Sequence, residues 1–172
     1  YVVIDQTDVI YQTGGQNLET LLLKIGAATH TVVTAETYGT DKDDWIHAAQ
    51  RMEDGHYAAA GATRSYNDAT PVCSLFKINQ DSDKMMFKRI YGVPAFEEAY
   101  AVRESANGGL LLTGVANASA LNVKKKELLL LNVDATGFLG EGGKFSRPGF
   151  FEKGVNFTMA SVTNISPPNP LS

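Results

Sequence analysis

The stretch DGHYAAAGATRS occupies residues 54–65, and NGGLLLTGVANA occupies residues 107–118. Each holds a turn dipeptide, an apolar run, and a second glycine six residues after the first. Asp-Gly and Asn-Gly reach positive φ cheaply, which is what a tight hairpin demands. Outward from these two stretches the copies stay in step. Lys24 and Lys77, Gly39 and Gly92, Ala48 and Ala101, Gly55 and Gly108, and Gly61 and Gly114 all stand 53 residues apart with no gap. Such self-similarity at a fixed period is the mark of a repeat architecture.

A third, weaker copy follows. LLLLNVD (128–134) matches the LFKI segment near Lys77, and FEKGVNFTMAS (151–161) matches FEEAYAVRES (96–105), both at an offset of 55. Residues 1–8, YVVIDQTD, resemble the run that starts at Tyr57, with Asp5 where the glycine stands. The chain therefore reads as one domain over residues 1–164, with units near 1–53, 54–106 and 107–164. The proline-rich tail 165–172, ISPPNPLS, reads as extended.

Each unit reads as four short strands. In the central unit they cover residues 57–65, 72–79, 85–91 and 99–104, divided by turn-forming runs such as NQDSD (79–83) and GVP (92–94). Continuous apolar runs, such as the three alanines after Tyr57 and the four leucines from Leu128, fit strands covered on both faces. The rival is a helix over residues 43–55, DDWIHAAQRMEDG, which opens with acids and stops at glycine. Its copy, residues 96–109, also contains helix formers. The repeat assigns the centre of both to strand, as the fourth strand of its unit.

The expected fold is all-β, built from about three four-stranded, blade-like repeats of a β-propeller. The alternatives are the β-trefoil and the β-prism, which also divide about twelve strands among three units. Propellers typically close with four to eight blades, so three blades leave open sheet edges and a bare apolar flank. The sequence thus predicts that additional blades or a protein partner complete the fold: the chain is a segment of a longer protein, copies assemble into a ring, or another subunit covers the flank.

The segment EEAYAVRESANGGLLLTGVANAS, followed by KELLLLNVDATG, resembles the repeat of secreted bacterial and archaeal β-propeller proteins. Their units look like DGGY-LLAG, then LVKLD-NG, then KTYGG, then DEAYSV. LFKINQDSDKMMFKRIYG and LLLKIGAATHTVVTAETYG fill the middle portion here. The likeness spans nearly the whole chain, is strongest over residues 43–137 and is poor over 138–150. Met86 and Phe87 stand where the family's third strand carries tryptophan. The resemblance implies an exported protein, extracellular or at the cell surface, and fixes no chemistry.

Composition narrows the functions. A net charge of −4 argues against a nucleic-acid partner, because phosphate binding needs a basic face. No segment approaches the roughly 20 apolar residues of a membrane helix, and no basic-then-apolar leader opens the chain. Cys73, the single cysteine, lies in the apolar run TPVCSLFKI and reads as a buried thiol.

The sequence shows no catalytic motif. His30, His47 and His56 lack the i, i+4 spacing of a helical metal site, and no G-x-S-x-G elbow occurs. GEGGK (140–144) is followed by Phe145, not the Ser or Thr of a Walker loop. VKKKE (123–127) reads as a solubilising edge device. Asp41, Asp43 and Asp44, and likewise the NQDSD run, offer the oxygen ligands that Ca²⁺ takes, but neither has an EF-hand pattern and both read as solvated loops. No cofactor and no metal are expected, with Ca²⁺ the one ion these loops could accept. Three sequons, at Asn117, Asn156 and Asn164, would count only in a glycosylating secretory route.

The sequence-level expectation is a noncatalytic scaffold or binding module that presents variable loops for protein or glycan recognition or assembly. The loops that differ most among units are residues 12–17, 64–71 and 117–126, all joining the same pair of strands. Tyr66, Asn67, Asp68, Asn117 and Asn122 are the contact residues expected on that rim. The alternative is a glycan-processing enzyme with its site on the propeller axis, drawing on Glu98, Glu104 and Asp134.

Overall fold

A computed structural model describes residues 2–10, 16–39, 42–65, 70–82, 84–92, 96–117, 126–139, 151–154 and 158–161. These residues form strands and turns, with no helix among them. In chain order the strands are β1 (Val2–Ile10), β2 (Gln16–Ile25), β3 (Val32–Gly39), β4 (Asp44–Arg51), β5 (Tyr57–Thr63), β6 (Val72–Ile78), β7 (Met85–Gly92), β8 (Glu97–Glu104), β9 (Leu110–Asn117), β10 (Lys126–Val133), β11 (Phe151–Gly154) and β12 (Thr158–Ser161). The fold is all-β, and the helix-like stretches are the strands β4 and β8.

Three antiparallel sheets result. Sheet A has the order β1-β2-β3-β12, sheet B the order β11-β7-β6-β5-β4, and sheet C the order β10-β9-β8. Consecutive strands meander within a sheet, and the chain then steps to the next. β4 lies against β1 and β2, and β8 lies against β4, β5 and β6, so B packs between A and C.

The sheets break the chain at different points from the sequence units. Asp54-Gly55 and Asn107-Gly108 were expected to separate units; each instead joins two strands of one sheet. Met52 N–H donates to the His56 carbonyl at 2.8 Å and Gly55 N–H to the Met52 carbonyl at 3.0 Å. Fifty-three residues later, Ser105 N–H donates to the Gly109 carbonyl and Gly108 N–H to the Ser105 carbonyl, both at 2.9 Å. A turn this tight can only connect antiparallel neighbours. The chain changes sheet just after Gly39 and Gly92, and β4 and β8 open sheets B and C rather than closing the ones before them. The match of residues 151–161 to 96–105 does not place them in a third sheet either. β11 pairs with β7 at the outer edge of B, and β12 with β3 at the outer edge of A.

The repeated glycine has a packing reason. β4 bulges against β5 between Ile46 and Ala48, and β8 bulges against β9 between Ala99 and Ala101. Gly61 lies across from the first bulge and Gly114 across from the second. A Cβ on Gly61 would run into the Trp45 carbonyl oxygen, and one on Gly114 into that of Glu98. Each bulge leaves one residue unpaired: His47 on β4 and Tyr100 on β8.

Sheet B is covered on both faces, so every residue of β6 is buried. Toward C, Ala58, Ala60, Cys73, Leu75 and Tyr91 join Val102, Leu110, Leu112, Leu129 and Leu131 in the main core. Toward A, Leu22 and Tyr38 meet Ile78. Cys73 is fully buried, and burial pushes its thiol pKa up, with the nearby Glu97 charge adding to the rise. The A-facing side of B also carries an ion pair, Lys88 Nζ to Asp44 Oδ1 at 2.6 Å, with both side chains wholly buried. Burial lowers the Lys88 pKa, and Asp44 and Glu19 oppose that shift.

Candidate functional site at the loop rim and the inner seam

The sheets have two ends. One carries the tight turns; the other carries the long loops. Hydrogen bonds fix what meets at the loop end. Arg64 N–H donates to the Asp43 carbonyl at 2.9 Å, and its copy, Asn117 N–H, donates to the Phe96 carbonyl at 2.9 Å. The ends of β5 and β9 are thereby tied to the residues just before β4 and β8.

A cleft of about 200 Å³ lies at this end, lined by Thr70, Phe96, Asn117 and Lys126. It brings Thr70, just before β6, together with Phe96, Asn117 and Lys126 at the ends of the strands of C. The Lys126 ammonium lies 5.7 Å from the Phe96 ring centroid. In sheet B, the Arg64 guanidinium lies 5.5 Å from the Trp45 ring centroid and 3.2 Å from Asp43 Oδ2. An aromatic face with a cation and an amide beside it can stack the apolar face of a sugar ring and bond its hydroxyls, or hold a carboxylate.

Asn117 is the expected contact residue that the described structure contains. It is buried at the end of β9, opposite Lys126. Tyr66, Asn67, Asp68 and Asn122 lie outside the described residues. Sequence reasoning passed over Phe96 and Lys126, using the first only as a repeat landmark and the second only as an edge charge. The signal was available: Phe96 occupies the position of Asp43 in the previous copy.

The second cluster lies on the seam between β4 and β8. Tyr100 Oη donates to Glu98 Oε2 at 2.7 Å, and His47 Nε2 stands 3.4 Å from the same oxygen. The His47 and Tyr100 rings are 4.8 Å apart and tilted by 50°. The Glu98 carboxylate raises the Tyr100 pKa, because its bond favours the protonated phenol, and burial adds to the rise. The two bulges produce this meeting, since each turns its extra residue toward the neighbouring sheet.

The other carboxylates considered for chemistry stand elsewhere. Glu98 and Glu104 are at opposite ends of β8, roughly 20 Å apart at strand rise. The two carboxyls of a glycosidase stand within about 10 Å of each other. Glu104 Oε2 accepts the Glu53 N–H at 2.7 Å, beside a groove of about 320 Å³ lined in part by Gln50, Arg51 and Glu53. Asp134 Oδ1 accepts from Thr136 N–H, Thr136 Oγ1 and Phe138 N–H. The Thr136 bond leads in lowering the Asp134 pKa.

Two acids of the Asp41–Asp44 run have partners of their own. Asp43 accepts the Leu18 N–H at 3.1 Å and pairs with Arg64, and Asp44 holds Lys88. In the NQDSD run, Asn79 Oδ1 accepts the N–H groups of Asp81 and Ser82. Asp41 and Asp83 lie outside the described residues. Among the described residues no three His, Cys, Asp or Glu side chains gather as metal ligands. No described helix is long and apolar enough to cross a membrane.

No family model matches the chain, and no curated protein does.

Proposed function

We propose that this chain is a noncatalytic binding module of propeller type, exported and displayed outside the cell or at its surface. It recognises a protein or glycan through the loops of one rim, and other blades or a partner cover its open sheet edges. The observation that carries the reading is the cleft between Thr70, Phe96, Asn117 and Lys126, beside sequence segments that differ between the two copies. A rigid scaffold with divergent loops is how many binding folds separate stability from specificity. Tyr66, Asn67, Asp68 and Asn122, from the same sequence segments, are the further contacts of this proposal. The test is a glycan and peptide array with Phe96→Ala and Lys126→Ala alongside the parent chain. Binding that both variants lose, without turnover of the bound compound, supports the reading; binding that neither variant weakens defeats it.

The seam cluster favours a second reading, a glycan-processing enzyme working at the inner strands. Glu98 is flanked there by a phenol and an imidazole on the exposed side of the bulges. Turnover of a polysaccharide panel, abolished by Glu98→Gln with the fold intact, would establish it in place of the first.

A further inference from the structure

The repeat names the two faces of each sheet. In B, Cys73 lies across from Ala62 and Leu75 across from Ala60. In C, Leu128 lies across from Val115 and Leu130 across from Thr113. Gly61 and Gly114 bring these positions into correspondence, so Leu128 and Leu130 are the copies of Cys73 and Leu75. Cys73 and Leu75 are 0% exposed because C covers them, whereas Leu128 is 77% exposed and Leu130 50%. Leu129 and Leu131, on the opposite face of β10, are buried against B. Sheet C therefore turns outward the very face that, in B, is an inter-sheet contact.

The same logic identifies what fits there. Inside the chain, that face is covered by the opposite face of the next sheet in the repeat. Sheet A carries such a face, with no sheet behind it among the described residues. Leu22 points toward B, so Leu21 and Leu23 point away, and both are half-buried. Ala35 lies across from Leu23. Leu23 and Ala35 are the copies of Phe76 and Lys88, which are buried on the A-facing side of B, yet Leu23 and Ala35 are only half-buried. The A-to-B and B-to-C contacts are one interface used twice, and C and A hold its two unused halves.

The geometry points to a head-to-tail contact between copies of this chain, in which the outward face of sheet C seats the outward face of sheet A of a second copy. The contact is heterologous, so it closes into a ring or continues as a filament, according to the rotation between copies. It is independent of the loop rim, and either proposal can fail alone.

Light scattering after size exclusion, over a concentration series, tests it. The parent chain should exceed its monomer mass of 18.5 kDa. The variant Leu128→Glu/Leu130→Glu blocks the C half by replacing exposed side chains, and Ala35→Glu blocks the A half at a half-buried position. Each alone should be monomeric, with the parent's circular dichroism and melting curve. Mixed together, they should form a dimer of one copy of each and nothing larger, because each supplies the half the other has lost. A parent chain that is monomeric at every concentration overturns the proposal. So does an Ala35→Glu chain that still pairs with itself, which would mean that two C faces meet.

Discussion

Sheets B and C share the same repeat landmarks, yet they occupy different environments. Both begin with a bulged strand, turn through a five-residue hairpin, and continue into a strand whose glycine clears the bulge. In B, both faces are covered. In C, alternate residues of β10 are exposed, and Leu128 and Leu130 are among them. The comparison separates what a repeat encodes from what its place in the stack adds. Backbone features, such as the bulge and the turn, recur wherever the copy sits. Burial does not recur, because it depends on the neighbour.

The largest test concerns a feature of B without a counterpart in the described part of C. Lys88→Met leaves Asp44 charged and buried without its ammonium, so the chain should lose about 3–5 kcal/mol, as broken buried pairs do. The double variant Lys88→Met/Asp44→Leu should recover most of that loss in urea unfolding. A double variant as weak as the single one would mean that the pair itself, and not the orphaned charge, sets the cost.

The next pair of variants asks the same question of copied positions. Leu75→Ala removes a fully buried side chain and should cost about 2–5 kcal/mol. Leu130→Ala, at the equivalent place in C, should change stability by no more than about 0.5 kcal/mol in a monomeric sample. Equal losses at the two positions would show that C's outward face is covered within a single chain.

Gly61→Ala and Gly114→Ala should instead behave alike, because the obstacle in each case is a backbone carbonyl of the chain's own bulge. Each should destabilise by about 1–3 kcal/mol, the usual range for overpacking a tight site. A cost at Gly61 with none at Gly114 would show that burial, not the bulge, demands the glycine.

The smallest effect is a dependence on pH at the turns. Burial pushes the Asp54 carboxyl up, but the Lys77 ammonium, at 2.8 Å, leads the interactions that leave its pKa lowered. Asp134, in the turn after β10, is lowered by its Thr136 and Phe138 bonds. Both carboxyls thus have folded pKa values below the ordinary 3.8. Their stabilisation is complete above that value and is lost as pH falls through the folded pKa. Urea midpoints should drop on acidification below about pH 4, and Asp54→Asn and Asp134→Asn should each flatten part of the drop.

Much of the fold was legible in the sequence because its signals are local. The 53-residue period, the turn dipeptides and the buried Cys73 need no distant contact to be read. The helix-like segments were settled by the repeat, and β4 and β8 are strands. The division into units was not legible in the same way. Asp54-Gly55 and Asn107-Gly108 mark a repeat boundary equally well whether the turn separates two sheets or joins two strands, and only the hydrogen bonds across it decide. Residues 151–161 show the same limit. Phe151 aligns with Phe96, but strand-forming residues look alike at a sheet's inner and outer edges, and hydrogen bonding to β7 and β3 placed β11 and β12.

For the candidate site, the sequence supplied the loops and Asn117. It missed Phe96 and Lys126, which matter only because β8 and β10 bring them together from positions 30 residues apart. It also missed the seam. His47 and Tyr100 are unremarkable in sequence, and nothing local reveals that each is the extra residue of a bulge. The amino-acid order alone thus set the period, the strand character and the turns, which depend on residues close along the chain. Which strands share a sheet, which leucines stay wet, and which side chains converge on Glu98 were decided by tertiary structure, because hydrogen bonding and burial depend on partners the local sequence does not name.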